Sequence, residues 1–186
     1  MALEHALLVA LREQPASGLE LAKRFERSIG FFWSATHQQI YRVLGRMDRD
    51  HWVGVTEVSQ AGRPVKKVYA VTALGEQALA DWLGSPTHTD GLRSELAVKM
   101  RGASFGDRGA VLDVVRAHLV DHQVRLDHYR QLMKRDYPEP AALSGLDLDH
   151  YLVLRGGILT EETWVAWLSE YLSAHTAHTD EQGATR

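Results

Sequence analysis

No cysteine occurs among the 186 residues. That excludes disulfides, thiolate catalysis and every cysteine-based zinc site, and it fits a reducing compartment. Long apolar runs are missing too: nothing approaches the ~18 consecutive apolar residues of a membrane span. The N-terminus MALEHALLVALREQPASG has an apolar stretch, but Glu4 and His5 interrupt it and no basic segment precedes it. The expectation is a soluble, cytoplasmic chain with no membrane partner. Enzyme signatures are also absent: there is no P-loop, no Rossmann glycine pattern and no nucleophile elbow. No enzyme and no cofactor are expected. Nor is the chain a polycation, since its formal net charge is −3.

That charge is uneven. Residues 1–85 hold 10 Lys and Arg against 9 Asp and Glu, whereas residues 86–186 hold 11 against 15. Between Leu21 and Met47, Lys23, Arg24, Arg27, Arg42 and Arg46 face a single acid, Glu26. A local basic face on the first half is compatible with the acidic total, and the second half is not itself a nucleic-acid surface.

Apolar periodicity supplies the elements. Leu3, Leu7, Leu8 and Leu11 recur at helical spacing and predict a helix from about Ala2 to Glu13, ended by Pro15. Ser17-Gly18-Leu19-Glu20 is a capping box that opens a second helix to about Arg27, with Leu21, Ala22, Phe25 and Ile29 inward. Ser34 is the expected N-cap of a third helix ending near Asp50, with an apolar stripe at Ile40, Val43, Leu44 and Met47. The period then changes. Val53, Val55 and Val58, a turn at Gln60-Ala61-Gly62-Arg63-Pro64, and Val65 to Val71 predict a two-stranded hairpin. Thr72 caps a fourth helix, Ala73 to Leu83. Three helices, a hairpin and a helix make a winged helix-turn-helix over residues 1–85.

A polar linker, 86–93, leads to a helical second half. Ser94 to Met100 is a short helix. Asp107 starts a long one ending near Asp136, with a heptad seam at Leu112, Val115, Leu119, His122, Leu126, Tyr129 and Met133. Another from about Leu148 to Ala174 repeats the seam at Tyr151, Leu154, Ile158, Glu161, Val165, Leu168 and Leu172. Two such helices can pair within a protomer and leave apolar surface for a second copy. Leu112, Leu119, Leu126, Tyr129, Leu154, Ile158, Val165 and Leu168 are the candidates for dimerisation. The fold class expected is mainly α, a winged helix-turn-helix followed by a coiled-coil-like domain at 94–174, with a disordered tail at 175–186.

With its apolar stripe inward, the third helix presents Gln38, Tyr41, Arg42 and Gly45 outward. Glutamine can pair with adenine and arginine with guanine in the major groove, while a tyrosine hydroxyl suits a phosphate. Arg63, Lys66 and Lys67 sit at the hairpin tip, where a wing meets the DNA backbone. Each residue also has a plain reading, because polar residues on an exposed helix are most often only solvated. A small α+β domain that holds protein partners has the same topology.

The run WSATHQQIYRVLGRMDRDHWV, followed by GRPVKKVYAVTALGEQAL, resembles the winged-helix domain of PadR-type transcriptional regulators. The likeness rests on His37 to Leu44, on Gly62 to Pro64, and on Tyr69 with Thr72 to Gly75. LRSELAVKMRGAS and YLVLRGGILTEETWVAWL are similar to the virulence-activator-like C-terminal domain of one branch of that family. The resemblance implies a homodimeric repressor of a palindromic operator, less often an activator, with dimer contacts through the C-terminal helices. It also implies release by a small aromatic molecule. The DNA contacts it implies are Gln38, Gln39, Tyr41, Arg42 and Arg63 with Lys66 or Lys67. The chain departs from the pattern at His51-Trp52, where many relatives have glycine.

Two side issues remain. His118 and His122 are four apart on one helix, but no HExxH pattern accompanies them, so a solvated or interfacial pair is favoured over a metal site. Trp164 and Trp167, with Tyr171, are candidates for an aromatic ligand pocket, against the plainer reading that they are core. Trp33, Trp52 and Trp82 are expected in the winged-helix core or its dimer contacts.

Overall fold

A computed structural model describes residues 2–27, 35–60, 63–87 and 94–183. The chain divides into two compact units, residues 1–89 and 90–186.

The first unit contains α1 (Ala2–Glu13), β1 (Ala16–Ser17), α2 (Gly18–Arg27), α3 (His37–Arg49), β2 (Val53–Gln60), β3 (Arg63–Val71) and α4 (Ala73–Leu83). Its core is built from the predicted stripes. Leu7, Leu8 and Leu11 of α1 meet Leu21, Ala22 and Phe25 of α2 and Ile40, Val43, Leu44 and Met47 of α3. Burying each such leucine contributes roughly 1.5–3 kcal/mol. Ile29, the Gly30–Trp33 connector and Ser34 lie outside the described residues.

The sheet is antiparallel in the order β1-β3-β2, so it has one strand more than the predicted hairpin. In the added strand, Ala16 pairs with Tyr69 and Ser17 with Val68. Two residues are too few to show a period, so only the fold reveals them. The start of α3 also differs from expectation. Thr36 is the N-cap, because its hydroxyl accepts from the Gln39 amide at 3.2 Å while Gln39 Oε1 accepts from the Thr36 amide at 2.8 Å. This reciprocal box satisfies two of the helix's orphan donors at once.

His51 follows α3 with φ of 57°, the left-handed conformation that glycine adopts most readily. The departure from the family pattern thus falls on a position where glycine would be unstrained. The turn is tied down beyond it. Thr72 donates its hydroxyl to the His51 carbonyl at 2.6 Å and its amide to the Trp52 carbonyl at 3.1 Å. Gly75 lies so close to the Trp52 carbonyl that a Cβ there would collide with it. His5 is stacked on Trp82 at 4.5 Å, with Trp52 tilted against it at 5.8 Å.

The second unit contains α5 (Glu95–Gly102), α6 (Arg108–Asp136) and α7 (Gly145–Gly183), with short 3-10 turns at Ala103–Phe105 and Pro140–Ala142. Ser94 caps α5 and Asp107 caps α6. The backbone of α7 is helical to Gly183, beyond the expected helix end near Ala174. Residues 184–186 lie outside the described residues.

The two long helices pair with each other in antiparallel fashion, as Val115 and Leu168 share one cluster and Tyr137 meets Tyr151. Leu126, Tyr129, Leu154, Ile158 and Leu168 are therefore buried inside one protomer. Leu112, Leu119 and Val165 are half-buried. Met100 and Leu96 of α5 close one end of the seam, where the Tyr171 hydroxyl donates to the Met100 carbonyl at 2.9 Å.

Candidate nucleic-acid interface

Helix α3 has two faces set by its own sequence. Ile40, Val43, Leu44 and Met47 are buried, while His37, Gln38, Gln39, Tyr41, Arg42, Gly45 and Arg49 are exposed. Gln38 and Arg42 are one turn apart on the outer side. Arg42 has no ion-pair partner among the described residues, so its charge is presented outward.

Two of the other expected contacts have additional duties. Gln39 is the third residue of the capping box, with its Oε1 already accepting a hydrogen bond and its amide NH2 left to donate. Tyr41 is 49% exposed, yet its ring lies over Gly18, where a Cβ would collide with it. Gly18 therefore lets the start of α2 approach the outer face of α3. Tyr69 stands nearby; burial pushes its hydroxyl pKa up, and the charges of Asp48 and Tyr41 add to this.

The basic residues separate into internal and external ones. Arg24 donates to the carbonyls of Ala10 at 3.2 Å and Gln14 at 2.9 Å, closing the C-terminal end of α1. Arg46 forms an ion pair with Glu4 of α1 at 3.1 Å. Both belong to the basic run of the sequence, yet both bond within the fold. The side chain of Arg27 lies outside the described residues. Lys23 and Arg42 remain exposed.

On the wing, Lys67 is 3.9 Å from its cross-strand partner Glu57, a loose pair with both side chains more than half exposed. Lys66 makes a close contact: its ammonium is 2.7 Å from Glu20 Oε1. The other carboxylate oxygen, Oε2, accepts from the Ser17 amide at 2.9 Å and the Ser17 hydroxyl at 2.8 Å. These bonds, Lys66 first and Ser17 next, hold the Glu20 carboxyl down to about 2 from its ordinary 4.5. Glu20 was legible in the sequence only as a cap, and no local signal pairs it with Lys66. Arg63 opens β3, and its side chain lies outside the described residues, as do Ala61 and Gly62 of the wing tip.

The second unit places its candidates differently. His118 is exposed and His122 is buried, so the two imidazoles do not form a pair. His122 Nδ1 is 2.5 Å from Glu161 Oε2, a separation that needs a proton between them, and in the tautomer protonated at Nδ1 the ring donates to the carboxylate. Arg125 donates to Glu161 Oε1 at 3.2 Å. Its guanidinium is also 2.9 Å from His122 Nδ1, but one nitrogen cannot both donate to Glu161 and accept there, so the carboxylate is the partner of both. Trp164 stacks on the His122 ring at 4.9 Å, and Trp167 is 5.2 Å from Trp164. Both tryptophans pack against the core cluster of this unit. A cavity of about 610 Å³ lies elsewhere, beside Met133, Tyr137, Tyr151 and Ile158 near the α6–α7 turn.

The two units match two family models. Residues 7–81 match the transcriptional regulator PadR-like family, and residues 92–176 match the virulence activator alpha C-terminal domain. The probable transcriptional regulator Rv1176c of Mycobacterium tuberculosis is 50% identical over 94% of this chain and 97% of its own. The chain belongs to the PadR-like family of transcriptional regulators. The negative transcriptional regulator PadR of Bacillus subtilis is 31% identical over 92% of this chain and 96% of its own. PadR-like likeness extends to the fold. The structure of B. subtilis PadR in complex with operator DNA has a TM-score of 0.81 at 28% identity, covering 94% of this chain and 99% of that one. The same protein in complex with p-coumaric acid has a TM-score of 0.75 at 27% identity, covering 94% of this chain and 98% of that one. The Vibrio cholerae virulence activator AphA has a TM-score of 0.78 at 28% identity, covering 94% and 98%.

Proposed function

We propose that this PadR-like regulator is a homodimeric repressor that binds a palindromic operator and acts by binding rather than catalysis, in the cytoplasm. The carrying observation is the division of α3. One face is locked into the core by Ile40, Val43, Leu44 and Met47, so the opposite face, with Gln38, Tyr41 and Arg42, is held at a fixed angle. Gln38 is favoured over Gln39 for base contact, since the Gln39 carbonyl is engaged in the cap. Arg42 with Lys67 and Arg63 supplies charge for phosphates.

A two-fold dimer presents two such helices about one DNA turn, roughly 34 Å, apart. Because the α6–α7 seam is filled within one protomer, the dimer contact falls on what the seam leaves outside. The half-buried Leu112, Leu119 and Val165 contribute, as do Leu152 and Leu159, which are 54% and 49% exposed. A small aromatic acid like the one held by B. subtilis PadR is the proposed releasing ligand. Trp164 and Trp167 serve it only indirectly, as packing residues.

Selection of bound fragments from genomic DNA tests this reading. Recovered fragments are expected to share a palindrome with half-sites one turn apart, bound with steep salt dependence. Arg42→Ala is expected to weaken binding about uniformly across sequences, to reduce the salt slope by about 1, and to leave the dimer mass in light scattering unchanged. Salt-independent capture of proteins with no enriched DNA would instead identify an interaction adaptor.

A further inference from the structure

We infer that Glu20 is a built-in competitor of the DNA backbone for Lys66, an inference that rests on the DNA-binding reading. In the unbound protein Glu20 Oε1 occupies the position at the Lys66 ammonium, 2.7 Å away, that a phosphate oxygen would take. The pair is not a buried structural bridge. The Lys66 side chain is 30% exposed and that of Glu20 46%, so solvent reaches both. It sits where three parts of the interface converge: the start of α2, the wing strand β3, and the Tyr41 ring of α3 lying over Gly18. DNA that engages Lys66 must therefore displace this carboxylate or share the ammonium with it, against the repulsion between carboxylate and phosphate. This lowers affinity for any duplex, and it lowers non-specific binding most, because non-specific binding consists almost wholly of phosphate contacts.

The two oxygens of Glu20 have separate roles, and this makes the idea testable. Oε2 holds the cap through Ser17 and Oε1 holds Lys66. Glutamine fills the same capping position in helices generally. Glu20→Gln therefore keeps an oxygen for Ser17 and puts an amide opposite Lys66, removing the charge competition without uncapping α2. Circular-dichroism melting checks that the variant is folded.

The measurement is fluorescence anisotropy with a mixed-sequence duplex of about 30 base pairs, long enough to offer phosphates on several turns. Four proteins are compared: the parent, Glu20→Gln, Lys66→Ala and the double variant. Glu20→Gln is expected to bind about fivefold more tightly than the parent, the factor that an exposed ion pair of up to ~1 kcal/mol sets. The gain is expected to vanish in the Lys66→Ala background. An equal gain in both backgrounds would show a general charge effect and overturn the proposal, as would no gain or a loss in Glu20→Gln. If the parent itself shows no salt-dependent DNA binding, the DNA reading fails first, and that outcome is distinct from the other two.

Discussion

The two units place their polar groups differently. In the first, the stripes that join α1, α2 and α3 are apolar, and the polar side chains, among them the Arg46–Glu4 pair and His5 stacked on Trp82, sit beside those stripes. In the second, a His122–Glu161–Arg125 cluster sits within the heptad seam itself, with Trp164 stacked over it. An apolar seam fixes packing by shape alone and holds a recognition helix rigidly. A hydrogen-bonded group inside a seam specifies which residues face each other, at the cost of desolvating a charge. For Glu161 that specification concerns register: one slipped turn between α6 and α7 would strand its carboxylate.

This contrast can be broken most directly in the first core. Leu44 and Ile40 are fully buried, so Leu44→Ala is expected to destabilise the first unit by about 2–5 kcal/mol in denaturant melts. Next comes the polar cluster. Glu161→Ala leaves His122 without its acceptor and is expected to cost the second unit roughly 2–3 kcal/mol, less than a fully buried pair because Arg125 is partly solvated. His122→Leu combined with Glu161→Leu is expected to recover most of that loss; a double variant as unstable as the single one would show that the cluster stabilises and does not merely specify. A smaller effect belongs to the cap of α3. Thr36→Ala is expected to cost ~1 kcal/mol and to weaken DNA binding in parallel, since the first turn carries Gln38.

The smallest expected effect concerns pH. The Glu20 carboxyl lies at about 2 in the folded protein, below its ordinary 4.5. A depressed carboxylate contributes stability above its unfolded pKa and loses it as pH falls toward the folded one. The melting temperature of the first unit is thus expected to drop between about pH 4.5 and pH 2, and Glu20→Gln is expected to flatten that part of the profile. An unchanged slope in the variant would show that Lys66 and Ser17 do not hold the carboxylate in solution.

Much of the fold was legible because its signals are local. The capping box Ser17–Glu20 and the caps Thr72, Ser94 and Asp107 each link residues three apart, a separation that a reader of sequence can see. Thr36 rather than Ser34 caps α3, and the sequence does carry that signal: Thr36 has Gln39 three residues on, the capping-box pattern, whereas Ser34 has His37. Strand β1, two residues long, is too short to show a period in the sequence. The basic face is smaller than the sequence count implies, since Arg24 and Arg46 carry the same formal charge whether they point outward or at α1.

By itself the sequence determined which helices exist, which side of each is apolar, and where the period switches to strands. These follow from side-chain spacing and from bonds across one helical turn. Only the tertiary structure decided the partners of the charges: Lys66 with Glu20, Arg46 with Glu4, and Arg125 with Glu161. Their positions are 46, 42 and 36 residues apart in the chain. The Coulomb attraction that joins such groups depends on distance in space, which no local pattern encodes.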